Sequence, residues 1–313
     1  TQAMEAQAVD PPTLAVSFSA NDSPLAGQEG NRLTSREIRT RLLREAESNI
    51  SIRVSEEPGA DYFDVAGRGE LQLGVLIETM RREGFELCIG RPRVLQRTDP
   101  DSGQLMEPIE EVQIDVDEEH VGAVVEGISE RRGELMDMRP SGGGRTRLMF
   151  HAPSRGLIGY NGELLTATRG SAVMNRIYHS YAPHKGDIAG RRTGVLVSNG
   201  QGKSVAFALW NLEDRGPMFI GAGEPVYEGM AIGQHTRGND LIVNPLKAKQ
   251  LTNVRASGTD EAVRLTTPRR MSLEEAIAYI DIDELVEVTP KSIRIRKRLL
   301  DPHARKKAAR SDA

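Results

Sequence analysis

Thr34-Ser35-Arg36-Glu37-Ile38-Arg39-Thr40-Arg41-Leu42-Leu43-Arg44-Glu45-Ala46 begins with a capping box. The Thr34 hydroxyl and the Glu37 carboxylate stand three residues apart, the spacing at which each satisfies a free backbone N–H at a helix start. Ile38, Leu42, Leu43 and Ala46 then fall on one side of that helix. Upstream, Leu14, Val16 and Phe18 alternate as a strand does, and residues 21–30, rich in Gly, Asn and Ser, form a loop. Downstream, Ile50, Ile52 and Val54 alternate, Pro58-Gly59-Ala60-Asp61 turns the chain, and Tyr62-Phe63-Asp64-Val65-Ala66 pairs back as a hairpin. Leu73, Leu76, Ile77 and Met80 have helical spacing after Gly69-Glu70, and Phe85-Glu86-Leu87-Cys88-Ile89 reads as a closing strand. The order is β-α-β-β-α-β, the split βαβ or ferredoxin-like arrangement.

The same order recurs. Glu111-Val112-Gln113-Ile114-Asp115-Val116 is a strand, followed by a helix marked by Val121, Val124, Val125 and Ile128 with Asp117 as its N-cap. Strands over 133–138 and 145–150 flank the turn at Pro140-Ser141-Gly142-Gly143-Gly144, a helix follows over 157–168, and residues 172–181 supply the last strand. A repeat distance of roughly 95 residues is far longer than a solenoid period, so these are two similar domains.

After Pro183 glycine and short strands dominate, over 194–198, 204–210, 217–220 and 225–232. One helix is plain, opened by the capping box Ser272-Leu273-Glu274-Glu275. Ser292-Ile293-Arg294-Ile295-Arg296 alternates apolar and basic residues as a strand. The fold class is therefore α+β: two ferredoxin-like domains, then a mostly β domain with one helix, a barrel or rolled sheet. The expected boundaries are a linker over 1–11, domains over 12–97 and 98–185, and a β-rich domain with a basic tail over 186–313. Opening on a linker also leads us to expect a longer parent protein.

The chain has 313 residues, 38% of them hydrophobic and 27% charged, which suits two or three globular domains. No apolar run is long enough to cross a bilayer, and the first residues lack a signal peptide's pattern. The one cysteine, Cys88, allows neither an intrachain disulfide nor a cysteine zinc site and suits a reducing cytosol. A net charge of −4 conceals an uneven distribution, with Lys291, Arg294, Arg296, Lys297, Arg298, Arg305, Lys306, Lys307 and Arg310 crowded near the C-terminus. For residues 305–313 a solvated end and a polyanion-binding tail are equal alternatives.

Catalytic patterns fail one by one. Val197-Ser198-Asn199-Gly200-Gln201-Gly202-Lys203-Ser204 ends like a phosphate-binding loop, but Val197 stands where glycine is required. The following Val205-Ala206-Phe207-Ala208-Leu209 reads as β, which denies phosphate a helix N-terminus and favours a hairpin tip. No two histidines share the i, i+4 spacing of a helical zinc site, and no nucleophile elbow occurs. What the sequence does offer is surface for RNA phosphate: Arg145 and Arg147 beside the glycine turn, Arg191-Arg192 at the entry to the third domain, Lys247, Lys249, Asn253 and Arg255 in the long segment 239–258, and Arg294, Arg296, Lys297 and Arg298 in the basic stretch. A solvated loop is the plain alternative for the long segment.

Certain strings carry a resemblance. Gly67-Arg68-Gly69-Glu70-Leu71-Gln72-Leu73 resembles the domain III signature of elongation-factor-G-type GTPases. Glu107-Pro108-Ile109-Glu110, Gly127-Ile128-Ser129-Glu130-Arg131-Arg132-Gly133 and Arg155-Gly156-Leu157-Ile158-Gly159-Tyr160 resemble domain V of the same group. Leu212-Glu213-Asp214-Arg215-Gly216, Arg255-Ala256-Ser257-Gly258-Thr259-Asp260-Glu261-Ala262 and Asp283-Glu284-Leu285-Val286-Glu287-Val288-Thr289-Pro290 are similar to the C-terminal domain peculiar to the BipA (TypA) family of ribosome-associated GTPases. The neighbouring LepA family has a different C-terminal domain.

The resemblance implies a cytoplasmic monomer without membrane contact that docks at the ribosomal factor site, where it meets ribosomal RNA and ribosomal proteins. It implies a loop over 239–262 reaching toward the acceptor end of A-site tRNA, and a role in large-subunit assembly and stress adaptation. The family's GTP-binding domain, with its P-loop and Asn-Lys-x-Asp motif, and the β-barrel after it do not occur here. GTP and Mg are thus expected of that domain, no cofactor or catalysis of this chain, and GTP hydrolysis of the parent. The alternatives are a nucleotide-dependent enzyme using Gly200-Gln201-Gly202-Lys203-Ser204, or a protein-binding scaffold with acidic surfaces.

Overall fold

The computed structural model of the chain describes residues 11–248 and 264–311. The first elements are β1 (Leu14–Ala20), α1 (Ser35–Ser48), β2 (Arg53–Glu56), β3 (Tyr62–Gly67), α2 (Glu70–Arg82), β4 (Leu87–Gly90) and the short β5 (Arg93–Val94) and β6 (Arg97–Thr98). Next come β7 (Leu105–Asp117), α3 (Val121–Glu130), β8 (Glu134–Gly142), β9 (Arg145–Pro153), α4 (Tyr160–Ala167) and β10 (Val173–Pro183). The last are β11 (Val195–Ser198), β12 (Gly202–Lys203), α5 (Ala206–Glu213), β13 (Pro225–Val226), β14 (Met230–Gln234), β15 (Leu241–Val243), α6 (Leu273–Tyr279), β16 (Glu284–Val288), β17 (Ile293–Lys297) and α7 (Pro302–Ser311). They fall into two compact units: Thr1–Ala20, Thr34–Met80 and Arg91–Gly190 make the first, and Asn21–Leu33, Arg81–Gly90 and Arg191–Ala313 the second.

In the first unit β1 pairs antiparallel with β3, Val16 opposite Val65, and β3 pairs with β2. The α1 capping box forms as its spacing predicts: Oγ1 of Thr34 accepts from the Glu37 amide at 3.3 Å, and Oε2 of Glu37 accepts from the Thr34 amide at 3.1 Å. The helices bury Ile38, Leu42, Leu73 and Ile77 together with Val16, Phe18 and Val65 of the strands. The second β-α-β-β-α-β set builds a sheet in the order β10-β7-β9-β8, which places its fourth strand beside its first, as a ferredoxin-like fold requires. Its core joins Val112, Ile114, Leu148 and Phe150 of the sheet to Val124, Ile128 and Leu164 of the helices. Gly142, Gly143 and Gly144 all take positive φ at the β8–β9 turn, a conformation costly for any residue with a Cβ. Asp117 departs from its expected role: its side chain makes no cap hydrogen bond, and a 3₁₀ turn over Glu118–His120 precedes α3.

In the second unit the strands run β15-β11-β14-β17-β16-β4. β4, the closing strand of the first β-α-β-β-α-β set, is antiparallel to β16, with Ile89 opposite Val286. Apolar groups of Leu196, Met218, Ile220, Val226, Tyr227, Met230 and Ile232 form the core. Among the described residues β15 is an edge and the sheet does not close into a barrel.

Among the described residues from 191 onward three helices occur, where periodicity singles out one. α6 has the expected capping box at Ser272 and Glu275. α5 corrects the strand expected over 204–210: the run Ala206-Phe207-Ala208-Leu209-Trp210 is helical, burying Ala208 and Leu209 and leaving Trp210 exposed. A short apolar run without clear period suits a strand or a buried helix equally. The basic tail is helical as α7, and Nη1 of Arg305 donates to the carbonyls of Leu299 and Leu300 just before it.

Candidate nucleic-acid interface

The cations expected to meet RNA divide by burial. On the first unit, Arg147 lies in β9 directly across from Asp115 of β7 and makes a bidentate pair with it at 2.8 and 3.1 Å, its side chain still 46% exposed. Hydrogen bonding to Arg147, working against desolvation, holds the Asp115 carboxyl below its ordinary range. Arg145 is half-buried, donating to the carbonyls of Asp115 and Ser171 and facing Asp117 at 3.3 Å. Both guanidiniums flank the glycine turn, where the alternation of β9 orients them alike.

On the second unit, Arg192, Lys247 and Arg298 are exposed, as are Lys306, Lys307 and Arg310 of α7. Arg310 stands four positions after Lys306 and three after Lys307, so it shares a helical face with each. Lys249, Asn253 and Arg255 lie outside the described residues.

The remaining candidates point inward. Arg191 holds Glu284 through two bonds of 2.8 Å, and its guanidinium lies 4.6 Å from the centre of the Tyr279 ring. Lys297, 2% exposed at its side chain, meets Asp240 at 2.5 Å and Asp283 and Glu284 at 2.9 Å. Burial pushes Glu284 up, yet hydrogen bonds from Arg191 and the charges of Lys297 and Arg191 outweigh it and leave the carboxyl below its ordinary range. Arg294 joins Glu29 at 2.5 Å and Glu287 at 3.1 Å, while Arg296, 1% exposed, reaches Asp22 at 2.7 Å. These four cations are engaged inside the second unit, which leaves Arg147, Arg192, Lys247 and Arg298 as the exposed candidates among the described residues.

Strand alternation foretells basic residues along β17. It carries no signal for the carboxylates that neutralise them, some more than 250 positions away along the chain.

Several of the strings that carry the family resemblance hold a carboxylate that bonds within the protein. Oε1 of Glu70 accepts from the Gly159 amide at 2.9 Å. Glu107, fully buried, pairs with Arg155 at 2.5 Å and accepts from the Lys185 amide at 2.8 Å. Glu287, fully buried in β16, accepts from Asn21 at 3.1 Å, Ser23 at 2.9 Å, the Tyr227 hydroxyl at 2.6 Å and Arg294 at 3.1 Å. Buried carboxylates need such partners, which explains fixed residue types at fixed places without any ligand.

The glycine string that ends in Lys203-Ser204 now precedes a helix, since α5 begins at Ala206. Its groups are nonetheless committed to the protein. The Asn199 amide donates to Val243 O, the Gly200 amide to Oγ of Ser198, the Ser204 amide to Glu224 O and the Val205 amide to Pro245 O. Oγ of Ser204 donates to Gly221 O at 2.7 Å, and Gly202 and Lys203 pair with β13. A phosphate-binding loop needs those amides pointing at the ligand. Among the described residues no group of three or more His, Cys, Asp and Glu side chains could hold a metal, and no helix is long and apolar enough to cross a membrane.

Comparison with known proteins matches residues 104–192 to the elongation factor G C-terminus and residues 193–302 to the TypA/BipA C-terminal domain. The chain is 52% identical, over 99% of its length, to the large ribosomal subunit assembly factor BipA of Escherichia coli (strain K12), of which it covers 51%. It is 47% identical over 96% of its length to the protein of the same name in Bacillus subtilis (strain 168), covering 49% of it. The chain thus spans about half the length of the curated relatives it matches.

Proposed function

The chain belongs to the BipA (TypA) family, and on that premise we propose that it is the ribosome-engaging part of a translational GTPase acting in large-subunit assembly. The observation that carries this reading is the uninterrupted succession, along one chain, of an elongation-factor-G-type C-terminus and the family's own C-terminal domain. Relatives sharing both are named large ribosomal subunit assembly factors. In this reading the chain docks at the ribosomal factor site of the cytoplasm as a monomer. Ribosomal RNA phosphate is met by Arg147, Arg192, Lys247 and Arg298, joined by the exposed face of α7, and the segment over 239–262 reaches toward A-site tRNA. Lys249, Asn253 and Arg255 of that segment serve the same contact. GTP and Mg act on the parent's nucleotide-binding domain, and this portion contributes binding and orientation, not hydrolysis.

Cosedimentation of the chain with large subunits tests the reading. Binding should weaken as salt rises, with a log–log slope of roughly −0.7 to −0.9 per phosphate contact. Replacing Lys247, Arg298, Lys306 and Lys307 together with Ala should lower the affinity and flatten that slope. Equal sedimentation of variant and parent at every salt concentration refutes the assigned surface.

A further inference from the structure

A cavity of about 430 Å³ opens in the second unit beside β14 and β17. Its lining carries five cations, Arg81, Arg269, Arg270, Lys291 and Arg294, against two carboxylates, Glu29 and Glu224. The carboxylates hold guanidiniums in place. Glu224 makes a bidentate pair with Arg270 and accepts from the Gly221 amide at 2.8 Å, and Glu29 grips Arg294 while accepting from Thr289 and Ser292. Glu287 sits against Arg294 as well, and Arg81 donates through Nε to the Thr289 carbonyl at 2.8 Å, so the excess positive charge rests on Arg269 and Lys291. Arg269 and Lys291 are exposed and have no ion pair among the described residues; the Arg269 guanidinium bonds the neutral Gln234 at 3.3 Å and approaches the face of Tyr279 at 5.6 Å.

The lining also includes apolar side chains, among them Phe219, Ile220, Met230 and Ile295. Its volume is that of a small-molecule site, typically about 300–1,000 Å³, too small for a folded segment. A single carboxylate would leave the charge excess uncompensated, whereas a phosphate dianion matches it, and guanidiniums bind phosphate oxygens through paired N–H groups. Phe219 and the methionine thioether offer a face for a flat, weakly polar body.

We infer that this cavity binds a nucleoside monophosphate, the phosphate on Arg269, Lys291 and Arg270 and the base against Phe219 and Met230. The same chemistry could be presented by the 5′-phosphorylated end of an RNA strand. The inference does not rest on the ribosomal reading and uses neither its surface nor its variants.

Calorimetry on the whole chain decides it, with GMP, AMP, guanosine, inorganic phosphate and a 5′-phosphorylated RNA trinucleotide as probes. We expect one saturable site for a mononucleotide, and affinity for guanosine or phosphate alone lower by about tenfold or more. In the double variant Arg269→Ala, Lys291→Ala the mononucleotide affinity falls by about tenfold or more while the thermal midpoint is unchanged. No saturable binding of either mononucleotide up to about 1 mM overturns the inference, as does binding that the double variant leaves intact. Variant-sensitive binding of the trinucleotide with none of the mononucleotide overturns the free ligand and gives the cavity to an RNA end.

Discussion

Glu70, the first residue of α2, accepts the backbone N–H of Gly159 at 2.9 Å, and Arg176 faces the same carboxylate at 3.6 Å. Gly159 takes φ 72° there, which turns its amide toward the carboxylate at little cost for a residue without Cβ. Burial pushes the Glu70 carboxyl up, against the charge of Arg176 and the Gly159 amide. Glu70→Ala should lower stability by about 1–3 kcal/mol through the orphaned Gly159 amide, since Arg176 keeps Glu110 at 2.8 Å. Glu70→Gln, which keeps an acceptor, should cost less. Urea unfolding compares them, and equal midpoints for parent and Glu70→Ala would remove this contact from the account of the fold.

Glu287 predicts a graded series in the second unit. Tyr227→Phe removes one donor, the 2.6 Å hydroxyl, and should cost about 1–3 kcal/mol. Glu287→Ala leaves Arg294 facing Glu29 alone and strands Asn21, Ser23 and Tyr227, with an expected loss of about 3–5 kcal/mol. A loss for Glu287→Ala no greater than for Tyr227→Phe, by denaturant titration, contradicts the shared network.

Stability should fall on both sides of neutral pH, for opposite reasons. Glu29, Glu224 and Glu284 are held below their ordinary 4.5, each pushed up by burial but pulled further down, Glu29 by the Thr289 hydroxyl and Arg294, Glu224 by Arg270 and Glu284 by Arg191 and Lys297. The unfolded chain takes up protons first as the pH falls, so their contribution is whole above about 4.5 and lost as pH drops through the folded values. Lys297 runs the other way. Burial lowers it, but Glu284, Asp240 and Asp283 raise it above its ordinary 10.5, so its contribution is whole below that value and lost as pH climbs through the raised one. In thermal melts across pH, Glu284→Gln should flatten the acid limb; an unaltered limb removes Glu284 from the cause.

Cys88 is 1% exposed, and burial pushes its thiol up to about 12. Thiolate is the reactive form, so the folded chain at pH 8 should resist an aromatic disulfide reagent that titrates the thiol fully once denaturant unfolds it. Rapid native modification would mean that β4 opens far more readily than its burial implies.

Much of the frame is legible from sequence, and particular residues show why the rest is not. Thr34 with Glu37, and Ser272 with Glu275, announce helix starts because capping is a contact between near neighbours. The alternation of Ile293, Arg294, Ile295 and Arg296 announces a strand for the same local reason. Asp117 has the right residue type for a cap but meets a 3₁₀ turn instead. α5 hides because Ala206-Phe207-Ala208-Leu209 has no polar residue to reveal its period. The surface is the least legible part. Arg294 and Arg147 look alike in sequence, yet one side chain is 9% exposed and the other 46%. What separates them is a carboxylate from the other end of the chain. Arg269 and Arg270 gain meaning only when Glu224 and Lys291 arrive beside them.

Glu287 takes two of its donors from Asn21 and Ser23, 266 and 264 positions upstream, and β16 takes β4 as its neighbour. A gene exchange that joined a foreign sequence to this one at the junction of the two family matches would import residues from 193 onward without them. The chimera would begin life with a charged hole in its interior and an exposed sheet edge. What can be inherited as a working piece is therefore larger than the piece that sequence comparison delimits, and it must bring residues 21–33 and 81–90 with it.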